Sequence, residues 1–263
     1  MKKATLFLFI LSAIASYAQD PRPQKDANGK FGYSDSGKML VPGKYDQAGY
    51  FYKGYATVRL NGKAGFVYVT GKEIIPPQFE DANNFNDGLA AVKFNGKWGM
   101  VDLMGKEVIL LKYDVSFYFS ENLAPVAVNK KYGFIDMKGK EVISLKYDNA
   151  RPFIEGFAPV KLGNNWGYIN KSGKEIIPLK YQAAFPFSDG LAVVALNNKA
   201  GFIDKSGKEI TPLKYDGLRD FQEGMAIFQL GEKFGFLDKT GKEVIPAQYD
   251  DALISVMVLH RLN

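Results

Sequence analysis

The chain has 263 residues, 46% hydrophobic and 24% charged, with a formal net charge of +6, one histidine and no cysteine. That composition suits a globular chain and excludes disulfides and thiolate metal sites. It leaves Ser-His-Asp, Cys-His and histidine-based metal sites almost without raw material, because the single histidine, His260, stands near the C-terminus.

Residues 1–18 carry Lys2 and Lys3, an apolar run from Ala4 to Ala15, and then Ser16-Tyr17-Ala18. A basic start, a short apolar stretch and small residues before a cut describe a secretory signal peptide, with cleavage expected between Ala18 and Gln19. The run is shorter than the ~20 residues a membrane span needs. Cleavage would remove two of the net positive charges, leaving a mildly basic chain rather than a nucleic-acid binder. With no cysteine for lipidation, a secreted or periplasmic protein is expected. Residues 19–27 (QDPRPQKDA) are polar, hold two prolines and show no periodicity, so they are expected to form a flexible lead-in.

From residue 28 to 252 the chain repeats itself. A glycine following the second-strand aromatic falls at Gly32, Gly65, Gly99, Gly133, Gly167, Gly201 and Gly235, spaced 33 once and then 34 five times. A tyrosine column (Tyr45, Tyr113, Tyr147, Tyr181, Tyr215, Tyr249, with Phe79), a phenylalanine column (Phe51, Phe85, Phe119, Phe153, Phe187, Phe221) and an alanine column from Ala56 to Ala226 share the period. Such self-similarity implies stacked units sharing one long core.

Gly88 to Phe119 shows the unit. Leu89 to Phe94 alternates with period two, as a strand with one face inward does. Asn95-Gly96 predicts a type I′ turn, which needs positive φ at both central positions. Lys97 to Asp102 is the second strand. Gly105 is placed for the left-handed residue of a type I turn with a G1 bulge. Glu107 to Leu110 is the third strand, followed by Lys112-Tyr113-Asp114 and an irregular link. The expected fold is therefore all-β: seven three-stranded antiparallel meanders of ~34 residues in an open superhelical array, with a closed seven-bladed, propeller-like ring as the alternative. The apolar strand at residues 253–263 would cap the array or close the ring.

The pairs Trp98-Gly99 and Trp166-Gly167, inside Lys97–Asp102 and Asn165–Asn170, resemble the signature of the WG-repeat family, as do the Gly-Lys-Glu and Lys-Tyr-Asp elements. Elsewhere Phe31, Ala64, Tyr132, Ala200 and Phe234 replace the tryptophan. The resemblance implies repeated β-hairpins in otherwise unrelated proteins, with no shared active site. The Gly-aromatic-Ile-Asp turns also resemble, more loosely, the shorter repeats of bacterial cell-wall and choline-binding modules.

Three columns invite a functional role. Asp35, Asp102, Asp136, Asp204 and Asp238, with Asn170 and Tyr68 in register, could form a metal ladder, but an Asx at a turn start ordinarily accepts backbone N–H bonds. The lysines of Gly-Lys-Glu (Lys72, Lys106, Lys140, Lys174, Lys208, Lys242) and those before the tyrosine (Lys112, Lys146, Lys180, Lys214) could hold a polyanion, though the adjoining glutamates largely cancel the first set. Trp98 and Trp166 could stack on sugars, but a column that also accepts Phe, Tyr and Ala behaves as a packing site.

No catalytic, cofactor-binding or metal-binding residue is assigned, and the binding residues are unknown. The expected function is a secreted, non-enzymatic interaction scaffold of the bacterial envelope. Its partner would be a protein, an envelope glycan being the alternative, with no nucleic acid and no transmembrane segment after cleavage. A cell-wall or glycan-binding module is the second expectation, and a secreted hydrolase with paired carboxylates the third.

Overall fold

The computed structural model describes residues 20–252. The signal peptide expected at 1–18 and the final strand expected at 253–263 lie outside the described residues. The described residues form two compact units, residues 20–79 with Asn84–Asp87 and Glu80–Asn83 with residues 88–252.

The first unit contains β1 (Arg22–Lys25), β2 (Phe31–Asp35), β3 (Lys38–Tyr45), β4 (Gln47–Ala48), β5 (Tyr55–Leu60), β6 (Lys63–Tyr68) and β7 (Glu73–Phe79). They make two antiparallel sheets, β1-β2-β3 and β4-β5-β6-β7. Tyr33 and Tyr45 from the first sheet share a buried cluster with Ala56, Val58 and Val67 from the second.

The presence of β1 corrects the expectation of a flexible lead-in at 19–27. Arg22 to Lys25 pair with Ser34 to Phe31, supplying the strand that the first copy's own sequence lacks. The turn between them is Asp26-Ala27-Asn28-Gly29-Lys30, the same Asp-x-x-Gly-Lys pattern as later turns, with Asp26 Oδ1 accepting from the backbone N–H of Asn28 and Lys30. Pro23 is tolerated because this is an edge strand.

The second unit contains five more sheets. Three have four strands, ordered Asp81–Ala82, Leu89–Phe94, Lys97–Asp102, Glu107–Tyr113; Asn149–Ala150, Phe157–Leu162, Asn165–Asn170, Glu175–Tyr181; and Gly217–Leu218, Met225–Leu230, Lys233–Asp238, Glu243–Tyr249. Two have three strands: Leu123–Val128, Lys131–Asp136, Glu141–Tyr147; and Ala183–Ala184, Leu191–Leu196, Lys199–Asp204. The seven repeats are thus seven small antiparallel sheets, all-β as expected.

Four of the sheets gain a fourth strand that the three-stranded reading of the repeat omits. It is two residues long, just past the Tyr-Asp pair, and it pairs with the first long strand of the next copy: Asn149 with Lys161 and Ala150 with Val160. The sixth copy also has this two-residue strand, Ala183–Ala184, but its third strand breaks up. Thr211 stands where the preceding copy has Ile177, and its hydroxyl accepts the Phe202 N–H at 2.8 Å in place of a regular ladder bond.

The turns follow their local chemistry. Asn95 and Gly96 have φ of 48° and 75°, the type I′ signature, and Gly105 has φ of 77°. The link after Tyr-Asp is more ordered than irregular, because it ends in a second turn of the same kind. In the fifth copy Glu155 and Gly156 have φ of 54° and 86°, while Ile154 and Phe157 exchange backbone hydrogen bonds across them.

The long strands are buried on both faces rather than one. Ala158, Pro159 and Val160 in sequence are all buried, because neighbouring sheets stack on either side. Each core therefore draws on two successive copies. Phe134, Ile143 and Tyr147 from one pack with Phe153, Ala158, Val160 and Ile169 from the next. The Phe column contributes Phe153 and Phe187, both essentially inaccessible, as expected of core residues.

The family glycine has a specific steric cause. Opposite it the third strand carries a bulge, marked by the register shift between Trp166↔Tyr181 and Tyr168↔Ile177. A Cβ on Gly167 would sit 2.5 Å from the Ile177 carbonyl oxygen and 2.8 Å from the Leu179 nitrogen. No side chain fits there.

Candidate functional site

The three columns singled out in the sequence are largely committed to holding the array together. The turn aspartates behave as Asx caps: Asp102 Oδ1 accepts from the N–H of Met104 and of Lys106, both at 2.9 Å. Asp204 does the same for Ser206 and Lys208 and also accepts the Ser206 hydroxyl at 2.6 Å. That hydroxyl bond, ahead of the backbone bonds, holds the Asp204 carboxyl below the usual range.

The lysines before the tyrosine lie over the ring of their neighbour, Lys146 Nζ 5.1 Å from the Tyr147 centroid and Lys180 5.1 Å from Tyr181. Lys214 also meets Glu243 of the next copy at 2.8 Å, and Tyr215 donates its hydroxyl to the same carboxylate oxygen at 3.0 Å. The lysines before the tyrosine are thus drawn onto aromatic rings, Lys214 also onto a glutamate. Trp98 and Trp166 are each only 8% exposed and belong to core clusters, which agrees with packing rather than sugar stacking.

A joint that the sequence reading did not single out is the Asp of Lys-Tyr-Asp. Asp148 pairs with Lys131 of its own copy at 2.5 Å and accepts the Gly163 N–H in the hairpin turn of the next at 2.7 Å. Asp216 repeats this with Lys199 and Gly231. The lysine partner first, then the turn N–H, holds both carboxyls below their ordinary range.

One column varies from copy to copy: the third residue after the Tyr-Asp position, which is Asn83, Phe117, Arg151, Phe185 and Arg219 in successive copies of the second unit. Its backbone is fixed, since the N–H groups of Arg151, Phe185 and Arg219 donate to Pro159, Val193 and Ile227 at 2.9, 3.0 and 3.0 Å. Phe117 is buried in the core beside Tyr113, whereas Phe185 and Arg219 are exposed. The Arg151 guanidinium lies 5.3 Å from the Trp166 ring and 4.8 Å from the Phe185 ring. Phe185 is 40% exposed and forms one wall of a cleft of about 460 Å³, together with Val193, Leu218, Ile227, Arg219, Asp220 and Gln222.

An apolar floor with a guanidinium at its rim accepts an apolar side chain beside a carboxylate or a backbone carbonyl. One signal in the sequence could have pointed here. The chain uses five arginines against 29 lysines, and two of those five occupy this single column. Arginine is favoured where a planar, stackable cation is needed.

No match was found among curated proteins. Among solved structures, a crystal structure of a eukaryotic initiation factor is similar over 88% of this chain and 74% of that chain, with 11% identity and a TM-score of 0.55. Hsv2 of Kluyveromyces marxianus is similar over 78% and 82% of the respective chains, with 8% identity and a TM-score of 0.45. At this identity the first likeness concerns the fold alone, that of β-propeller-like proteins. The WG containing repeat matches seven times, at residues 33–63, 65–98, 98–132, 132–166, 166–199, 201–234 and 234–253, so that the chain belongs to the WG-repeat family.

Proposed function

We propose that this protein is an exported, non-enzymatic scaffold of the bacterial envelope that binds a segment of another protein along the variable link column of its second unit. The observation that carries this reading is the contrast between columns. Turn aspartates, glutamates, lysines and tryptophans serve the repeat itself, whereas the link column changes from copy to copy and two of its members, Phe185 and Arg219, line a cleft. Interaction sites on repeat proteins arise where the framework tolerates change, and a partly exposed aromatic beside arginine has the composition of a binding hot spot. Export rests on the basic, apolar and small-residue order of residues 1–18.

The test places a photo-crosslinking residue at position 219 in one protein and at the turn position Lys242 in another, each beginning at Gln19 and exposed to envelope extract. A defined protein adduct is expected from position 219 and not from position 242, and Phe185→Ala should abolish it. Equal labelling from both positions, or hydrolysis of chromogenic glycosides by the purified chain, would refute the reading.

A further inference from the structure

Because the copies align with one another, departures from their shared pattern are visible without any other sequence. In the first unit, several fall together in space. Lys53 stands where every other copy with this turn has Asp or Glu, Tyr68 where the other copies have Asp or Asn, and Tyr55 where they have Leu, Phe or Met. Tyr52 replaces a residue that is never aromatic elsewhere.

These residues surround one turn. Tyr52 and Tyr55 exchange backbone hydrogen bonds across Lys53 and Gly54, whose φ values are 50° and 83°. The Tyr68 ring covers that turn so closely that a Cβ on Gly54 would sit 3.0 Å from it, and it lies 5.2 Å from the Tyr55 ring at 54°. Lys53 Nζ is 5.5 Å from the Tyr52 centroid and bonds Asp87 and Asn86 at 2.6 and 3.0 Å. Phe51 turns inward onto Tyr33, with centroids 4.4 Å apart, while Tyr50 and Tyr52 on either side of it remain 73% and 50% exposed.

The arrangement costs the fold something. Tyr68 keeps the backbone bonds of its turn, Tyr68 N–H to Lys72 O and Gly71 N–H to Tyr68 O, but it cannot make the side-chain bonds that Asp102 gives Met104 and Lys106 in the next copy. A structural cap has been exchanged for a ring that stays 38% exposed. Clustered exposed aromatics mark contact sites.

We infer that Tyr52 and Tyr68, both at the Lys53-Gly54 turn, form a stacking site for saccharide rings. A phenol ring presents a flat apolar face to the C–H face of a pyranose, and its hydroxyl lies at the edge where sugar hydroxyls project. Asn86, Asp87 and Lys53 supply the amide, carboxylate and ammonium groups that hydroxyls bond at the rim of such a stack. This site is separate from the protein-binding column of the second unit and does not depend on it.

The test is calorimetric titration of the chain beginning at Gln19 with chitohexaose, cellohexaose and maltohexaose, and sedimentation with insoluble peptidoglycan. Saturable binding to at least one of the four is expected, weakened about tenfold or more by Tyr52→Ser and by Tyr68→Asp, each a residue other copies carry at that position. Arg219→Ala should leave it unchanged, so a failure of the stacking site and a failure of the protein-binding column are told apart. Absence of saturable binding to all four probes would overturn the inference, as would binding that both tyrosine variants retain in full.

Discussion

Replacing Gly167 by alanine tests the steric account of the family glycine. The added Cβ would meet the Ile177 oxygen at 2.5 Å and Leu179 nitrogen and Pro178 carbonyl carbon at 2.8 Å, all backbone atoms of the bulged third strand. No rotamer change relieves a backbone contact, so the bulge must open, and the expected loss lies at or above the top of the ~1–3 kcal/mol typical of overpacking. The control is Gly156→Ala, where φ is 86° but nothing lies within 4 Å of the added atom. There only the left-handed backbone is penalised, by about 1–2 kcal/mol. Trp166 neighbours the mutated glycine, so urea unfolding followed by its fluorescence in a Trp98→Phe background reports locally, which matters in an array whose repeats can unfold separately. A Gly167→Ala protein as stable as the Gly156→Ala protein would refute the idea that close approach, rather than backbone conformation, selects this residue.

Other outcomes can be checked with the same preparations. Asp46, Asp114, Asp148 and Asp216 all have folded-state carboxyls below their ordinary range, first through their lysine partners. Their contribution is complete above the unfolded value of about 4 and is lost as pH falls through the folded values, so stability should decline in acid, and Asp→Asn at all four should flatten that dependence. Tyr33, Tyr45, Tyr168 and Tyr215 are pushed up, first by burial. Stability should therefore fall as pH rises above the ordinary phenol value of about 10, and ultraviolet titration should show part of the tyrosine signal appearing only with unfolding. Tyr181 has a buried hydroxyl with no hydrogen-bond partner among the described residues, so Tyr181→Phe should be neutral or stabilising by up to about 1 kcal/mol. Tyr215→Phe, which removes the bond to Glu243, should instead cost about 1 kcal/mol; equal melting temperatures for the two variants would contradict this difference.

The period, the all-β class, the Asx caps and the type I′ turns were legible in the sequence because each depends on a few adjacent residues. Asn95-Gly96 needs positive φ wherever it stands, and Asp102 reaches the N–H groups two and four residues ahead of it without outside help. The core columns were legible for a related reason, since repetition averages out the ambiguity of any single strand. The turn at Glu155-Gly156 was missed although its chemistry is equally local, because its first left-handed residue is a glutamate rather than the asparagine that tolerates positive φ best.

Only the tertiary structure decided which segments meet. The two-residue fourth strand at Asn149–Ala150 has no periodicity to reveal it and exists because the next copy offers Lys161 and Val160 as partners. The strand at Arg22–Lys25 was hidden by Pro23 and by the proline just before it, and its edge position made Pro23 harmless. Gly167 could be counted in the sequence, yet the reason for it lies in a bulge ten residues downstream. Arg151 and Phe185, 34 residues apart, are unremarkable until stacking brings their side chains within 4.8 Å. Local backbone preferences are written in neighbouring residues, whereas close approach between distant ones is set by how stacked sheets bury their shared apolar faces.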